Sequence, residues 1–243
     1  MSKSIFSYLN LSDRYERKAR LLPAVLTLLL LAPPLIVLEL TVSNWVGTLL
    51  GGGGVSAVMA VALSHLSSAF GNRYQQYLWP LWPHDSPTNI WLSPDNSFRS
   101  AQQKKIWYGA IHRLTGLNIE EAIKAGDHEE LKAVINDAVT SIRNQLWSLD
   151  IAVRLQINNE DYGFARNLAG LRWVWVVFST ISATSCWVLF YMSRGELIWA
   201  IISSIFLIIS IILGFFVLPE YVKQKALHYA ESFFAAMIEL DKS

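Results

Sequence analysis

Four apolar segments constrain this chain more than any other feature of its sequence. They occupy residues 21–40, 45–64, 173–192 and 197–218. A helix of about 20 apolar residues crosses the hydrocarbon core of a bilayer, which is roughly 30 Å thick. The connections at 41–44 and 193–196 are very short, so the segments are predicted to pair as two antiparallel hairpins. The sequence therefore predicts an all-α membrane protein with four transmembrane helices.

Composition and charge distribution agree with a membrane location. Only 16% of the residues are charged, whereas soluble domains carry about 25%. Ten tryptophans are many for 243 residues, and membrane interfaces favour the indole ring. Apart from Arg194, nearly all Lys and Arg lie before the first segment, between the second and third, or after the fourth. The positive-inside rule then places both termini and the central region in the cytoplasm.

The chain divides into five predicted parts. They are an amphipathic N-terminal segment (1–20), a first transmembrane hairpin (21–64), a mostly helical cytoplasmic domain (65–167), a second hairpin (168–218) and a C-terminal helix (219–243). In the central domain, Asn96 or Ser97 is predicted to cap a helix that runs to about Thr115. Capping boxes at Asn118 and Asp127 predict two further helices. Residues 151–157 alternate between apolar and polar side chains, a pattern that a strand would also show.

Several residues of the first hairpin are candidates for the wall of a pore. Glu39 lies near the outer end of the first segment, where it either reaches the interface or lines a pore. Gly47 and Gly51 form a GxxxG pattern, which lets helices pack closely. The tract continues through Gly52, Gly53 and Gly54, and four successive glycines also weaken a helix. Packing surface and hinge are both open interpretations.

Prolines and small residues predict the geometry of the membrane helices. Pro33 and Pro34 should kink or interrupt the first segment because proline lacks a backbone N–H. Stripes of small residues in the third and fourth segments are typical of helix contacts in lipid. They comprise Ser179, Ala183, Cys186, Ser203, Ser210 and Gly214.

Catalytic signatures are missing from the sequence. It contains no P-loop, HExxH, GxSxG or CxxC pattern, and its five histidines lack the spacing of metal ligands. His84 and Asp85 are adjacent in a proline-rich stretch and are interpreted as turn residues. The sequence therefore predicts neither an enzyme nor a bound cofactor or metal.

A binding site is a better prospect in the central domain. Basic side chains together with aromatic rings are suited to a ligand that carries phosphates and bases. The alternatives are a solvated charged helix face and contact with anionic lipid headgroups. The candidate ligand-binding residues are Arg99, Lys104, Lys105, Trp107, Tyr108, Arg113, Arg143, Arg154 and Arg166.

Three stretches resemble a family of small bacterial membrane proteins. They are residues 15–29 (YERKARLLPAVLTLL), 81–88 (LWPHDSPT) and 162–172 (YGFARNLAGLR). The family comprises membrane effectors of anti-phage defence systems such as the one called Hailong. The resemblance implies a homotetrameric channel of the bacterial inner membrane. Short single-stranded DNA oligomers, made by a nucleotidyltransferase partner, would hold that channel inactive, and their loss would depolarise the cell.

The same resemblance implies a coupling segment at the start of the second hairpin. Its residues are Tyr162, Gly163, Phe164, Arg166 and Asn167, and Arg172 follows at the cytoplasmic end of the third segment. A polar, capped start and a flexible glycine would let this segment pass a small tilt of the cytoplasmic domain into the membrane.

Two other functions remain open. One is a membrane scaffold without enzymatic activity that recruits a soluble partner through the tryptophan- and proline-rich stretch at 79–91. The other is an intramembrane enzyme that uses Glu39.

Overall fold

The structure, a computed structural model, describes residues 14–41, 54–147, 149 and 152–243. Every regular element within these ranges is helical, which confirms the all-α class for them. The alternative of a strand at 151–157 is wrong, because the helix Val153–Gly170 covers most of it. Buried Leu155, Tyr162 and Ala165 recur at helical spacing, whereas a lone strand would have no partner for its backbone groups.

The described residues form nine helical stretches, numbered here in chain order. The stretch α1 covers residues 16–41 and α9 covers Leu197–Leu240. Between them lie α2 (Gly54–Leu78), α3 (Pro87–Leu92), α4 (Ala101–Thr115), α5 (Ile119–Ala125), α6 (His128–Leu146), α7 (Val153–Gly170) and α8 (Arg172–Tyr191).

Three of the described helices are long and apolar enough to cross a membrane. They are Glu16–Leu38, Arg172–Tyr191 and Leu197–Leu240. They correspond to the first, third and fourth predicted segments. Residues 45–53 of the second segment, including Gly47 and Gly51 to Gly53, lie outside the described residues, and its remainder begins α2. The described part of the chain is therefore helical and contains three candidate membrane spans.

Two of these helices contain π turns, in which backbone hydrogen bonds join residues five apart. The first is Glu16–Leu21 in α1, and the second is Leu213–Val217 in α9. Helix α1 also tightens into a 3₁₀ turn at Leu29–Leu31, and Ala32 separates this turn from Pro33 and Pro34. The α-helix Ala32–Thr41 runs through both prolines, so they do not interrupt it; a kink there stays a prediction.

The chain separates into two compact units. The first contains Met1–Tyr74 and Gly163–Val222, and it includes the first two candidate spans and the part of the third that ends at Val222. Its helices meet on small polar residues: Ser179 and Ser210 are buried, with their hydroxyls 2.8 Å apart. The Trp175 indole donates to the Thr27 hydroxyl at 2.8 Å. The predicted small-residue stripes thus do form helix contacts.

The second unit contains Gln75–Tyr162 and Lys223–Ser243. It has a core of its own, in which the Trp107 ring stacks on Phe234 with centroids 3.9 Å apart. Phe233 and Met237 in the last part of α9 are fully buried in the same core. The C-terminal helix thus belongs to this core.

Local capping sets the helix boundaries of the second unit. The side chain of Asn118 accepts the Glu121 N–H, and that of Asp127 accepts the Glu129 and Glu130 N–H groups, as predicted. Helix α4 begins later than predicted, because Ser100 caps it by accepting from Gln103. The tryptophan- and proline-rich stretch at 79–91 leads into the short helix α3, which Ser86 caps.

Candidate functional site

The predicted ligand-binding residues are not gathered into one cluster. Lys104 is 5% exposed, and its ammonium donates to the carbonyls of Ser93 at 2.6 Å, Pro94 at 3.3 Å and Asn96. Burial lowers the pKa of Lys104, although the nearby Asp95 carboxylate opposes that shift. The ammonium therefore fastens the loop between α3 and α4 to the protein itself.

The two predicted stacking residues also belong to the core. Trp107 packs against Phe234 and Trp91, whose ring centroids lie 3.9 Å and 6.3 Å from its own. The Tyr108 hydroxyl donates to the Leu92 carbonyl at 2.6 Å. Burial raises the pKa of Tyr108 to about 12, with a smaller contribution from Glu120. Of these two residues, Trp107 also borders an open groove.

That groove, called here the Arg99 groove, is lined by Trp91, Arg99, Gln103, Trp107, Glu231 and Phe234 and has a volume of about 370 Å³. The Arg99 guanidinium carbon lies 4.0 Å from the centroid of the Trp91 ring. Its Nη2 donates to Glu231 at 3.2 Å, while its Nε has no hydrogen-bond partner among the described residues. The groove therefore combines a half-exposed cation with the edges of a stacked aromatic cluster.

The remaining basic residues lie elsewhere. Arg113 forms a two-pronged pair with Asp241, with Nε–Oδ1 at 2.8 Å and Nη2–Oδ2 at 2.5 Å. The hydrogen bond raises the pKa of Arg113 and lowers that of Asp241. Lys105 and Arg154 are exposed, and Arg143 is half-buried on α6. Of the predicted set, the structure brings Arg99 and Trp107 together in one groove.

Arg166 belongs to the first unit, together with most of the predicted coupling segment. Asn167 is fully buried, its Nδ2 donates to the Ala19 carbonyl at 2.7 Å, and its Oδ1 accepts from Arg166 Nε at 3.2 Å. Ala19 lies inside the first π turn. A methyl group added at Gly163 would lie 2.8 Å from the Tyr15 hydroxyl oxygen. Helix α7 is thus packed directly against the N-terminal part of α1.

Two glycines that sequence reasoning missed bring α2 and α7 into backbone contact. A methyl group on Gly170 would lie 2.5 Å from the Gly71 nitrogen, and one on Gly71 would lie 2.0 Å from Asn167 Oδ1. Gly71, Asn167 and Gly170 are called here the glycine crossing. Small residues at a helix contact would have been the signal, but the two glycines are far apart in the chain.

The other coupling residues flank this crossing in sequence. Tyr162 belongs to the second unit, where its hydroxyl donates to Gln75 Oε1 at 3.0 Å. Phe164 is half-buried on α7. The Arg172 guanidinium carbon lies 4.5 Å from the centroid of the Tyr74 ring, and Arg172 also packs beside Gly214 in the second π turn.

The predicted pore residues fall largely beyond what the structure describes. Gly47, Gly51, Gly52 and Gly53 lie outside the described residues. Gly54 is the first residue of α2, and Glu39 is in α1, with their side-chain surroundings likewise outside the description. Their proposed roles therefore stay predictions.

Comparison with protein-family models, curated proteins and solved structures finds no match. The class that the fold defines is a helical membrane protein with a compact second unit.

Proposed function

We propose that the chain is a ligand-gated membrane effector of bacterial anti-phage defence. It is a homo-oligomeric ion channel, a tetramer by family resemblance, in the inner membrane. Short single-stranded DNA oligomers, made by a nucleotidyltransferase partner, bind the second unit and hold the channel closed. Their loss opens it and depolarises the cell. Residues 45–64 supply a fourth span, and both termini face the cytoplasm.

The observation that supports this proposal is that α7 contributes residues to both units. This one helix contributes Tyr162 to the second unit, and it contributes the buried Gly163 and Asn167 and the half-buried Gly170 to the first. Close glycine contacts and a buried amide tie its last turns to α1 and α2. A displacement of this helix cannot be absorbed by flexible side chains, because backbone atoms fill the contact. Such a helix is suited to transmit ligand binding.

The Arg99 groove is the binding site that this proposal requires. Its aromatic edges suit apolar and edge-to-face contacts with a base, and Arg99 suits a phosphate. Arg99 must exchange Glu231 for the ligand, and the two side chains are 34% and 55% exposed. An exposed ion pair of this kind contributes only about 0–1 kcal/mol, so a phosphate can displace the carboxylate.

Gating further requires that the ligand prefer the closed state. A ligand shifts an equilibrium only through its difference in affinity for the two states. Moving the closed fraction from 1% to 99% takes about 5.5 kcal/mol. Several charge-assisted contacts per oligomer, repeated over the subunits, supply that amount. Glu39 and the tract from Gly47 to Gly54 are the proposed pore elements.

Planar-bilayer recording of the purified protein tests the proposal. Current is expected without ligand and should fall when short single-stranded oligodeoxynucleotides are added on the side of the second unit. Absence of current under every condition would refute the channel. A current that no oligonucleotide changes would refute the proposed gating by oligonucleotides.

Arg99→Ala is the matched test of the groove, and Lys124→Ala is its control, since Lys124 is exposed and outside the groove. Both substitutions remove one positive charge. Arg99→Ala should raise the half-inhibiting oligonucleotide concentration by roughly tenfold or more, the loss expected for one charge-assisted contact. An equal increase of the half-inhibiting concentration in the two variants would show that Arg99 does not contact the oligonucleotide.

A second function is favoured by the exposed apolar residues beside α3. Tyr77 is 70% exposed and Leu81 is 64% exposed, a surface suited to a soluble partner. A scaffold would give no current but would co-elute with the nucleotidyltransferase. Leu81→Ser would abolish that co-elution.

A further inference from the structure

A second cavity in the second unit lies apart from the Arg99 groove. It is bounded by the turn at 81–85, by α3 and the loop after it, and by α6, and its volume is about 300 Å³. It shares no lining residue with the groove. Small-molecule pockets range over about 300–1,000 Å³, so this cavity suits a ligand at the small end of that range.

The lining divides into an apolar wall and a polar rim. Leu81, Ile90, Leu131 and Ile135 supply the wall. Ile135 is 4% exposed and Leu131 is 7% exposed, so these two residues anchor the wall in the folded core of the unit, whereas Leu81 is exposed. A ligand that fills the cavity must therefore present an apolar body to these side chains.

Asp85 is the group on the rim that calls for a partner. Its Oδ2 accepts the Leu81 N–H at 2.9 Å, which fixes the carboxylate in the turn. Its Oδ1 is shielded from solvent and has no hydrogen-bond partner among the described residues. A buried acceptor without a donor costs about 1–3 kcal/mol, so a donor supplied by a ligand would be favourable.

The charges around the cavity favour a cation. Asp85 and Asp95 both line it, whereas Lys132, the lysine of the lining, already pairs with Glu129 at 2.7 Å. That pairing lowers the pKa of Glu129, first through the hydrogen bond with Lys132 and then through its charge. Glu129 therefore neutralises Lys132. Because Asp95 lies near the Lys104 ammonium, Asp85 is the main uncompensated charge of the lining.

The cation is organic rather than a metal ion. The described residues contain no group of three or more His, Cys, Asp or Glu side chains that could hold a metal. The imidazoles of His84 and His128, which also line the cavity, offer flat rings and hydrogen bonds instead. An apolar wall together with an anionic rim matches an amine on an apolar or aromatic body.

We propose that the Asp85 cavity binds a small organic ammonium ion whose apolar body packs against Leu131 and Ile135. The ammonium group pairs with the Asp85 carboxylate. This site is independent of the oligonucleotide site proposed above, because the two share no residue.

Isothermal titration calorimetry on the full-length protein in detergent tests this site with two probes. Tryptamine has an apolar ring and an ammonium group, while indole-3-acetate has the same ring and the opposite charge. Tryptamine should bind at least tenfold more tightly. Failure of tryptamine to bind, or equal binding of both probes, would overturn the proposal.

Two variants locate the site. Asp85→Asn should weaken tryptamine binding at least tenfold, whereas Asp137→Asn, an exposed position on α6 outside the lining, should leave it unchanged. Ile90→Phe keeps every charge but reduces the cavity volume, so it should also abolish binding if Asp85→Asn does not fold. Wild-type affinity in both Asp85→Asn and Ile90→Phe would place the amine elsewhere, including in the detergent.

Discussion

Replacing Gly170 by alanine perturbs the closest backbone contact in the first unit. The added methyl carbon would lie 2.5 Å from the Gly71 nitrogen, 2.6 Å from the Phe70 carbonyl carbon and 2.7 Å from the Phe70 oxygen. All three are main-chain atoms of α2, so no side-chain rotation relieves the clash. The two helices must move apart.

The required movement follows from these distances. Ordinary van der Waals contact of such a carbon begins at 3.4 Å, so α2 and α7 must separate locally by about 0.9 Å. Overpacking of this kind costs about 1–3 kcal/mol. The gain in helix propensity from glycine to alanine, about 1 kcal/mol, offsets part of it. A net loss of about 0–2 kcal/mol relative to the wild type is expected, and about 1–3 kcal/mol relative to a glycine-to-alanine change that gains the same helix propensity without the clash.

Thermal unfolding in detergent, followed by far-ultraviolet circular dichroism, measures the effect. For a chain of this size, each kcal/mol lowers Tm by about 2–4 °C. Gly109→Ala is the matched control, because its methyl group would meet only the end of the Arg113 side chain, at 3.3 Å. That control should match or exceed the wild-type Tm. The reasoning fails if Gly170→Ala is as stable as Gly109→Ala, since the helices would then not be in backbone contact.

Three further predictions concern the second unit. Lys104→Met should lower the free energy of unfolding in urea by about 1–3 kcal/mol, because buried loop carbonyls lose their donor. Tyr108 has a pKa of about 12 in the folded state and about 10 when unfolded. The unfolded state therefore releases the Tyr108 proton first, and the free energy of unfolding should fall between about pH 10 and pH 12. In urea titrations at pH 9 and pH 11, Tyr108→Phe should show a smaller fall than the wild type. Asp127→Ala should lower the free energy of unfolding by about 1 kcal/mol, because the helix cap is lost. Asp127→Asn should keep most of the wild-type stability, since asparagine also caps helices.

Local signals in the sequence were sufficient wherever both partners lie within a few residues. The caps at Asn118 and Asp127 involve N–H groups two or three residues further on, so the sequence pattern contains the whole interaction. The small-residue stripe of α8 likewise indicates which face is buried. The alternation at 151–157 was misleading because so short a run fits a strand and a helix equally well.

Contacts between residues that are far apart in the chain could not be predicted from the sequence. The positive charge of Lys104 on a helix suggested a phosphate, but its carbonyl partners come from the loop before α4. The glycine crossing joins Gly71 to Gly170, which are almost a hundred positions apart, and neither glycine belongs to a recognisable pattern. Arg99 and Trp107 were identified from composition, whereas Glu231 and Phe234 complete their groove from the far end of the chain.

The π turn at Glu16–Leu21 sets the rotational phase of α1. On one side of it, Tyr15 faces Gly163; on the other, Thr27 accepts from the Trp175 indole at 2.8 Å. A π turn holds one residue more than a regular helix of the same length needs. Deleting that residue would turn this segment into regular α-helix and leave Tyr15 and Thr27 on their present faces. A deletion in the regular helix between the π turn and Thr27 would instead rotate Tyr15 relative to Thr27 by about 100°. The π turn is therefore the place in α1 where a one-residue deletion is best tolerated, because α1 can still contact both neighbours.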